Sequence, residues 1–190
     1  MKDEIPPGLV VEIEKAFPQY GTHGYEHTSR VIETCRHIGK IEKANLTILL
    51  PAALLHDISR EDNNHAQSGA DQARSILTKY GYDKEMIEMI SQAISTHSFS
   101  GHKPPKTLEA KILSDADKLD ALGTIGIYRT AVYSGEHARP IEDFVSHFKD
   151  KLLRLEGLLF TNEAKRMAAG RTEYMKGFIE RLAKELMQVA

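Results

Sequence analysis

The chain has 190 residues, 41% of them apolar and 27% charged, a balance that supports a folded core and argues against disorder. Lys plus Arg number 25 against 27 Asp plus Glu, for a formal charge of −2, which excludes the strongly basic face of a specific nucleic-acid binder. The single cysteine, Cys35, excludes a disulfide framework and a thiolate zinc site, and suits a reducing cytosol.

The opening Met-Lys-Asp-Glu-Ile-Pro-Pro lacks an apolar stretch, so no secretory signal is expected. Pro6-Pro7 can open a short helix that stops near Pro18 and Gly21. From about Gly24 to Ala44, residues His27, Val31, Cys35, Ile38 and Ile41 recur at steps of three and four. That is one stripe of an amphipathic helix, and His27 lies in line with it.

Leu46 to Asp57 is apolar all round and predicts a buried helix. Its uncharged run, Leu46 to Leu55, is about half the roughly 20 residues that a membrane span needs, so no membrane partner is expected and the location is read as cytoplasmic. Pro51 fits within the first turn if Thr47 is the cap, and otherwise makes a kink. Arg60 to Asn64 reads as a loop, with Asn64 capping a helix that runs to about Tyr80 before Gly81 stops it. Asp83 caps the next helix, whose stripe is Met86, Ile90, Ile94 and His97, and Ser98 to Pro105 is a loop.

Thr107 begins a helix to about Leu122, and Gly123 and Gly126 permit a bend or close packing. One helix is expected from Ile141 to about Leu159 and another from Thr161 to the end. No repeat, strand or composition shift breaks the series. The expectation is all-α, a helical bundle in one domain over residues 1–190, with C-terminal helices at about 141–188 packing on the rest.

Three places carry chemistry. His56-Asp57 follows the apolar Pro-Ala-Ala-Leu-Leu, where a buried carboxylate needs a partner. A divalent metal is one partner, and imidazole with carboxylate suits a transition ion. A plain helix end, with His near the negative pole of the dipole, accounts for the same two residues. His27 alone on an apolar stripe is more often a hydrogen-bonded core residue than a ligand. In Ser114-Asp115-Ala-Asp117-Lys-Leu-Asp120, Asp117 and Asp120 share a face with Leu113 and Ala116, and Asp115 projects nearly opposite. Asp117 is therefore the inward acid, and a solvated or capping role is expected for Asp115.

Taken together, His27, His56-Asp57 and Asp117 resemble the His…His-Asp…Asp pattern of the HD-domain metal-dependent phosphohydrolase superfamily. Gly-Tyr-Glu-His27-Thr-Ser-Arg-Val is similar to its first-ligand helix, Ala-Ala-Leu-Leu-His56-Asp57-Ile to its name-giving motif, and Asp-Ala-Asp117-Lys-Leu-Asp-Ala-Leu-Gly to its last-ligand helix. The likeness is greatest to small stand-alone bacterial and archaeal HD hydrolases. It extends through His-Ser-Phe-Ser and Gly-Ile-Tyr-Arg-Thr, covering about residues 20–135.

The resemblance implies a helical bundle whose ligands are His27, His56, Asp57 and Asp117. It implies one divalent ion, with manganese favoured over iron, nickel, cobalt, magnesium or zinc. His65 and His97 are read as groups for phosphate or acid–base catalysis, with Asp57 beside them, or as ligands of a second ion. The tandem His-His of the cyclic-dinucleotide branch is absent, since Ser98 follows His97. Arg60, Lys103, Lys106, Lys118 and Arg129 are candidate phosphate contacts, and Asp120 supports the ligands from behind. The implied function is hydrolysis of a nucleotide, with a nucleoside triphosphate cleaved to monophosphate and pyrophosphate. The alternative is a nucleoside 5′-monophosphate phosphatase. More distant readings are a di-iron oxygenase, which needs both His65 and His97 as ligands, and a non-catalytic HD sensor.

Overall fold

A buried helix with almost no polar side chain organises the first part of the chain. The structure is a computed structural model and describes residues 5–17, 24–60, 62, 64–98 and 104–188. Within these the chain is all-α, with no strand, and clusters into two compact units, Met1–Asp117 and Lys118–Ala190.

In the first unit the helices are α1 (Pro7–Ala16), α2 (Tyr25–Glu42), α3 (Leu46–Leu55), α4 (His65–Lys79), α5 (Lys84–Ser95) and most of α6 (Leu108–Asp120). Every residue of α3 from Ile48 to Leu55 is buried, and α3 packs against α1, α2, α4 and α5. Fully burying each of its leucines is worth about 2–3 kcal/mol. Its cap is Asn45, whose side chain accepts from the Thr47 N–H at 3.0 Å. Thr47 is therefore inside the helix, which settles the two alternatives for Pro51 against a first-turn position. Pro51 then lies beyond the first turn, where it leaves the Thr47 carbonyl without its usual helical donor.

Gly39 explains how closely α2 approaches α3. A Cβ there would stand 2.7 Å from Leu46 Cδ2 and 2.8 Å from Leu49 Cδ2. α4 ends where Gly81 adopts φ +76°, as its sequence position suggests. Asp83 caps α5 by accepting from the Met86 N–H at 2.8 Å. Asn64 occupies the cap position of α4 without a side-chain cap hydrogen bond.

The second unit holds the end of α6, then α7 (Gly123–Glu136), α8 (Ile141–Asp150), a 3₁₀ helix (Leu152–Leu158) and α9 (Asn162–Leu186). α7 packs on α9 and buries Gly123, Gly126, Thr130 and Ser134, a face made entirely of small residues. The single helix expected from Ile141 to Leu159 is in fact broken at Lys151, with φ −129° and ψ −64°. A 3₁₀ period of three brings Leu152 and Leu155, both buried, to one side. Phe148 is fully buried, with its ring 5.0 Å from Phe144 and 6.0 Å from Phe178. Thr161, the expected start of the last helix, is its cap, its side chain accepting from the Ala164 N–H. No helix among the described residues is long and apolar enough to cross a membrane.

Candidate metal centre

Helix ends of the first unit deliver the chemistry-bearing side chains to one place. His27 lies in the first turn of α2, His56 and Asp57 directly follow α3, His65 opens α4, His97 lies just past α5, and Asp117 is on α6. The four imidazoles form a row with ring centroids 5.3 Å apart for His27–His56, 5.2 Å for His56–His97 and 5.6 Å for His65–His97. His27, His56, Asp57 and His97 are each at most 2% exposed, while Asp117 is 27% exposed.

The donor atoms face one another. His56 Nε2 stands 3.3 Å from His27 Nε2. Asp57 Oδ2 is 3.7 Å from His27 Nε2 and 3.8 Å from His56 Nε2. Asp117 Oδ1 is 3.4 Å from His27 Nε2. Atoms bound about 2.1 Å from one ion stand roughly 3.0–3.4 Å apart, so the His27–His56 and His27–Asp117 spacings are those of ligands sharing one cation, and Asp57 stands a few tenths of an ångström farther out.

Backbone carbonyls orient two of the rings. His56 Nδ1 donates to the Ala53 carbonyl at 2.8 Å and His97 Nδ1 to the Ile94 carbonyl at 2.6 Å, which leaves each Nε2 directed into the cluster. His97 Nε2 is buried without a hydrogen-bond partner, as suits a group awaiting a ligand. Two triads, His27/His56/Asp117 and His56/Asp57/His97, each bring three donor atoms within 4.8 Å of one another. The nitrogen and oxygen donors fit a first-row divalent ion better than calcium.

Electrostatics agrees with this. Burial pushes the His56 pKa down to about 4, outweighing Asp57, so the ring is neutral at pH 7 and keeps its lone pair. Burial opposes charge on His97, but the carboxylates of Asp57 and Asp117 overcome it and raise its pKa. Burial would raise the Asp117 pKa, yet the hydrogen bond and charge of His27 hold it well below the carboxylate range. His65 is lowered by burial and then by the Arg60 charge.

The remaining sequence candidates are spread out. Arg60 Nη1 is 3.4 Å from Asp57 Oδ1 and 3.2 Å from His65 Nε2, so it belongs to the cluster. Lys106 lines a cavity of about 420 Å³ with Gln92 and Thr96, which none of the clustered His or Asp lines. Lys103 lies outside the described residues. In the second unit Lys118 is buried, with Nζ 5.4 Å from the Phe160 ring centroid. There too Arg129 Nη1 holds Asp120 Oδ2 at 2.9 Å, an ion pair that the sequence pattern gives no sign of. Asp115 is fully buried, not solvated. The acidic context of the segment hid that, because a wheel centred on Asp117 and the adjacent apolar residues left only one side for water.

Residues 24–122 match the HD domain family. The chain belongs to that family. It is 32% identical over 173 residues to the protein YpgQ of Bacillus subtilis, covering 86% of this chain and 84% of that one. The fold of this HD protein is similar to the crystal structure of B. subtilis YpgQ in complex with ADP, with a TM-score of 0.82, 28% identity and coverage of 96% and 98% of the two chains. It is also similar to an HD-superfamily hydrolase from Bacillus thuringiensis, with a TM-score of 0.78, 30% identity and coverage of 94% and 95%. HD domains bind divalent metals, and the His/Asp cluster of this chain is capable of holding one.

Proposed function

We propose that this HD protein is a metal-dependent phosphohydrolase acting on a nucleotide, with His27, His56, Asp57 and Asp117 holding one divalent ion and manganese preferred. The observation that carries this reading is that donor atoms of His56, Asp57 and Asp117 each stand 3.3–3.7 Å from His27 Nε2. ADP in the B. subtilis YpgQ structure supports a nucleotide as the ligand class. In this reading the C-terminal helices complete the same cytoplasmic domain.

A divalent ion supplies Lewis acidity and offsets charge on a phosphoryl group. The chain supplies the rest. His97 is fixed by its Nδ1 bond to Ile94, so that Nε2, when protonated, is placed to hand a proton to a leaving oxygen. Half-buried His65 with Arg60 borders the same space and offers N–H groups to a phosphate oxygen. Lys103 would hold the outer phosphates of a triphosphate, and Lys106, Lys118 and Arg129 are kept as weaker candidates, Lys106 because it lines a cavity that none of the clustered His or Asp lines and the other two because each already has a partner.

Within the nucleotide class, cleavage of a nucleoside triphosphate to monophosphate and pyrophosphate is the preferred reaction, and a nucleoside monophosphatase is the alternative. Release of pyrophosphate and of phosphate, measured separately over a nucleotide panel with the metal content of the purified protein, distinguishes them. Pyrophosphate without early phosphate is expected. Early phosphate from a monophosphate, with triphosphates inert, would replace this reading with the alternative.

A further inference from the structure

Asp57 divides its two carboxylate oxygens between two sets of neighbours. Oδ2 is near His27 Nε2 and His56 Nε2, at 3.7 and 3.8 Å. Oδ1 is near His97 Nε2 at 3.7 Å and Arg60 Nη1 at 3.4 Å. The same Arg60 nitrogen is 3.2 Å from His65 Nε2, and the His65 and His97 rings are neighbours at 5.6 Å. One cationic nitrogen is thus seated between a buried carboxylate oxygen and an imidazole nitrogen, with a second imidazole alongside.

Carboxylate and imidazole are the donors a second divalent ion would use. A guanidinium does the same electrostatic work with a single charge, and it stays protonated under all ordinary conditions. Its N–H groups point at the lone pairs that an ion would need, so arginine and ion exclude each other. Arg60 follows Asp57 by one helical-type turn, with its N–H bonded to the Asp57 carbonyl at 3.1 Å, so the backbone holds it beside the carboxylate. Its side chain is 38% exposed, which leaves an outer edge reachable by a phosphate oxygen.

We propose that Arg60 is the built-in second cation of this centre, its guanidinium filling the position between Asp57 and His65 that would otherwise take a second divalent ion. This rests on the cluster being a metal centre, and it goes further by fixing the number of ions and the reason for it. Arg60 then supplies, from the chain itself, positive charge that a two-ion hydrolase draws from its second metal.

The test is metal stoichiometry, read without any substrate. The full-length protein and its variants are equilibrated with excess manganese, dialysed, and analysed for bound metal, with circular dichroism to check the fold. The wild type should hold one ion and Arg60→Ala two. Arg60→Ala/His65→Ala should fall back to one, because the second ion has lost its imidazole. A paired-manganese electron paramagnetic resonance signal should appear only in Arg60→Ala. Two ions in the wild type, or one in a folded Arg60→Ala, would overturn the assignment. Should Arg60→Ala fail to fold, His65→Ala decides the matter. It keeps one ion if Arg60 holds the position, and any drop in stoichiometry overturns the proposal. No bound ion in any of these proteins would overturn the metal centre as well, which separates the two failures.

Discussion

The interiors of the two units are built from opposite materials. In Met1–Asp117 the helix ends around α3 bury His56, Asp57 and His97 at 0–2% exposure, where each unpaired charge or lone pair carries a desolvation cost. In Lys118–Ala190 the centre is Phe148 among Phe144 and Phe178, with a face of small residues on α7. The second interior also buries charge, at Lys118 and Asp120, but Asp120 is tied to Arg129 by an ion pair. The first gathers imidazoles and carboxylates in one place, where the candidate ligands meet, as expected where function rather than stability selects the residues.

Substitutions should therefore separate the units by what they damage. The largest effect on activity is expected at the cluster. His56→Ala and Asp57→Ala should each lower metal-dependent hydrolysis by about a thousand-fold or more, roughly 4 kcal/mol of transition-state stabilisation, and should abolish bound metal while retaining the helical circular dichroism. Retention of metal in either variant would break the comparison. Phe148→Ala should do the reverse. Loss of a fully buried phenyl ring is expected to cost about 3–5 kcal/mol of stability, seen as a lower Tm, with unchanged metal stoichiometry in the protein that remains folded.

How far the sequence showed this contrast depends on what each segment buries. α3 was legible because eight consecutive buried positions leave no polar face, and α2 because Val31, Cys35 and Ile38 keep the helical period. The candidate ligands stood out only together, through their joint resemblance to the HD pattern. α7 was not, because its inward face is Gly123, Gly126, Thr130 and Ser134 while Ile125 and Tyr128 are exposed. Hydrophobic periodicity has nothing to report there. The break at Lys151 was hidden for a related reason, since over seven residues a period of three and one of 3.6 select the same leucines. Neither the Arg60–Asp57–His65 grouping nor the Asp120–Arg129 pair has a one-dimensional signature.

Asp115 sharpens the comparison from inside the first unit. It is as buried as His56 and lies two residues before Asp117, yet belongs to neither ligand triad. A buried carboxylate of this kind is held by partners, and its removal leaves them unsatisfied. Asp115→Ala is expected to cost about 1–3 kcal/mol of stability, which a urea titration measures. A variant as stable as the wild type would mean that this carboxylate is not a structural tie.

The smallest expected effect lies on the surface, where neither kind of interior is involved. Glu12 on α1 accepts from Lys79 Nζ at 2.6 Å and from the Tyr80 hydroxyl at 2.8 Å at the end of α4. Lys79 first and then Tyr80 hold the Glu12 pKa below its ordinary value, which in an unfolded chain is about 4.3. Because the folded value is the lower one, the contribution to stability is fully present above the unfolded value. It is lost as pH falls through the folded one. Glu12→Gln should therefore reduce the urea midpoint slightly at neutral pH, less so at high salt, and the gap to the wild type should close in acid. A gap that stayed constant from neutral pH into acid would assign the effect to packing and the Tyr80 hydrogen bond and not to charge.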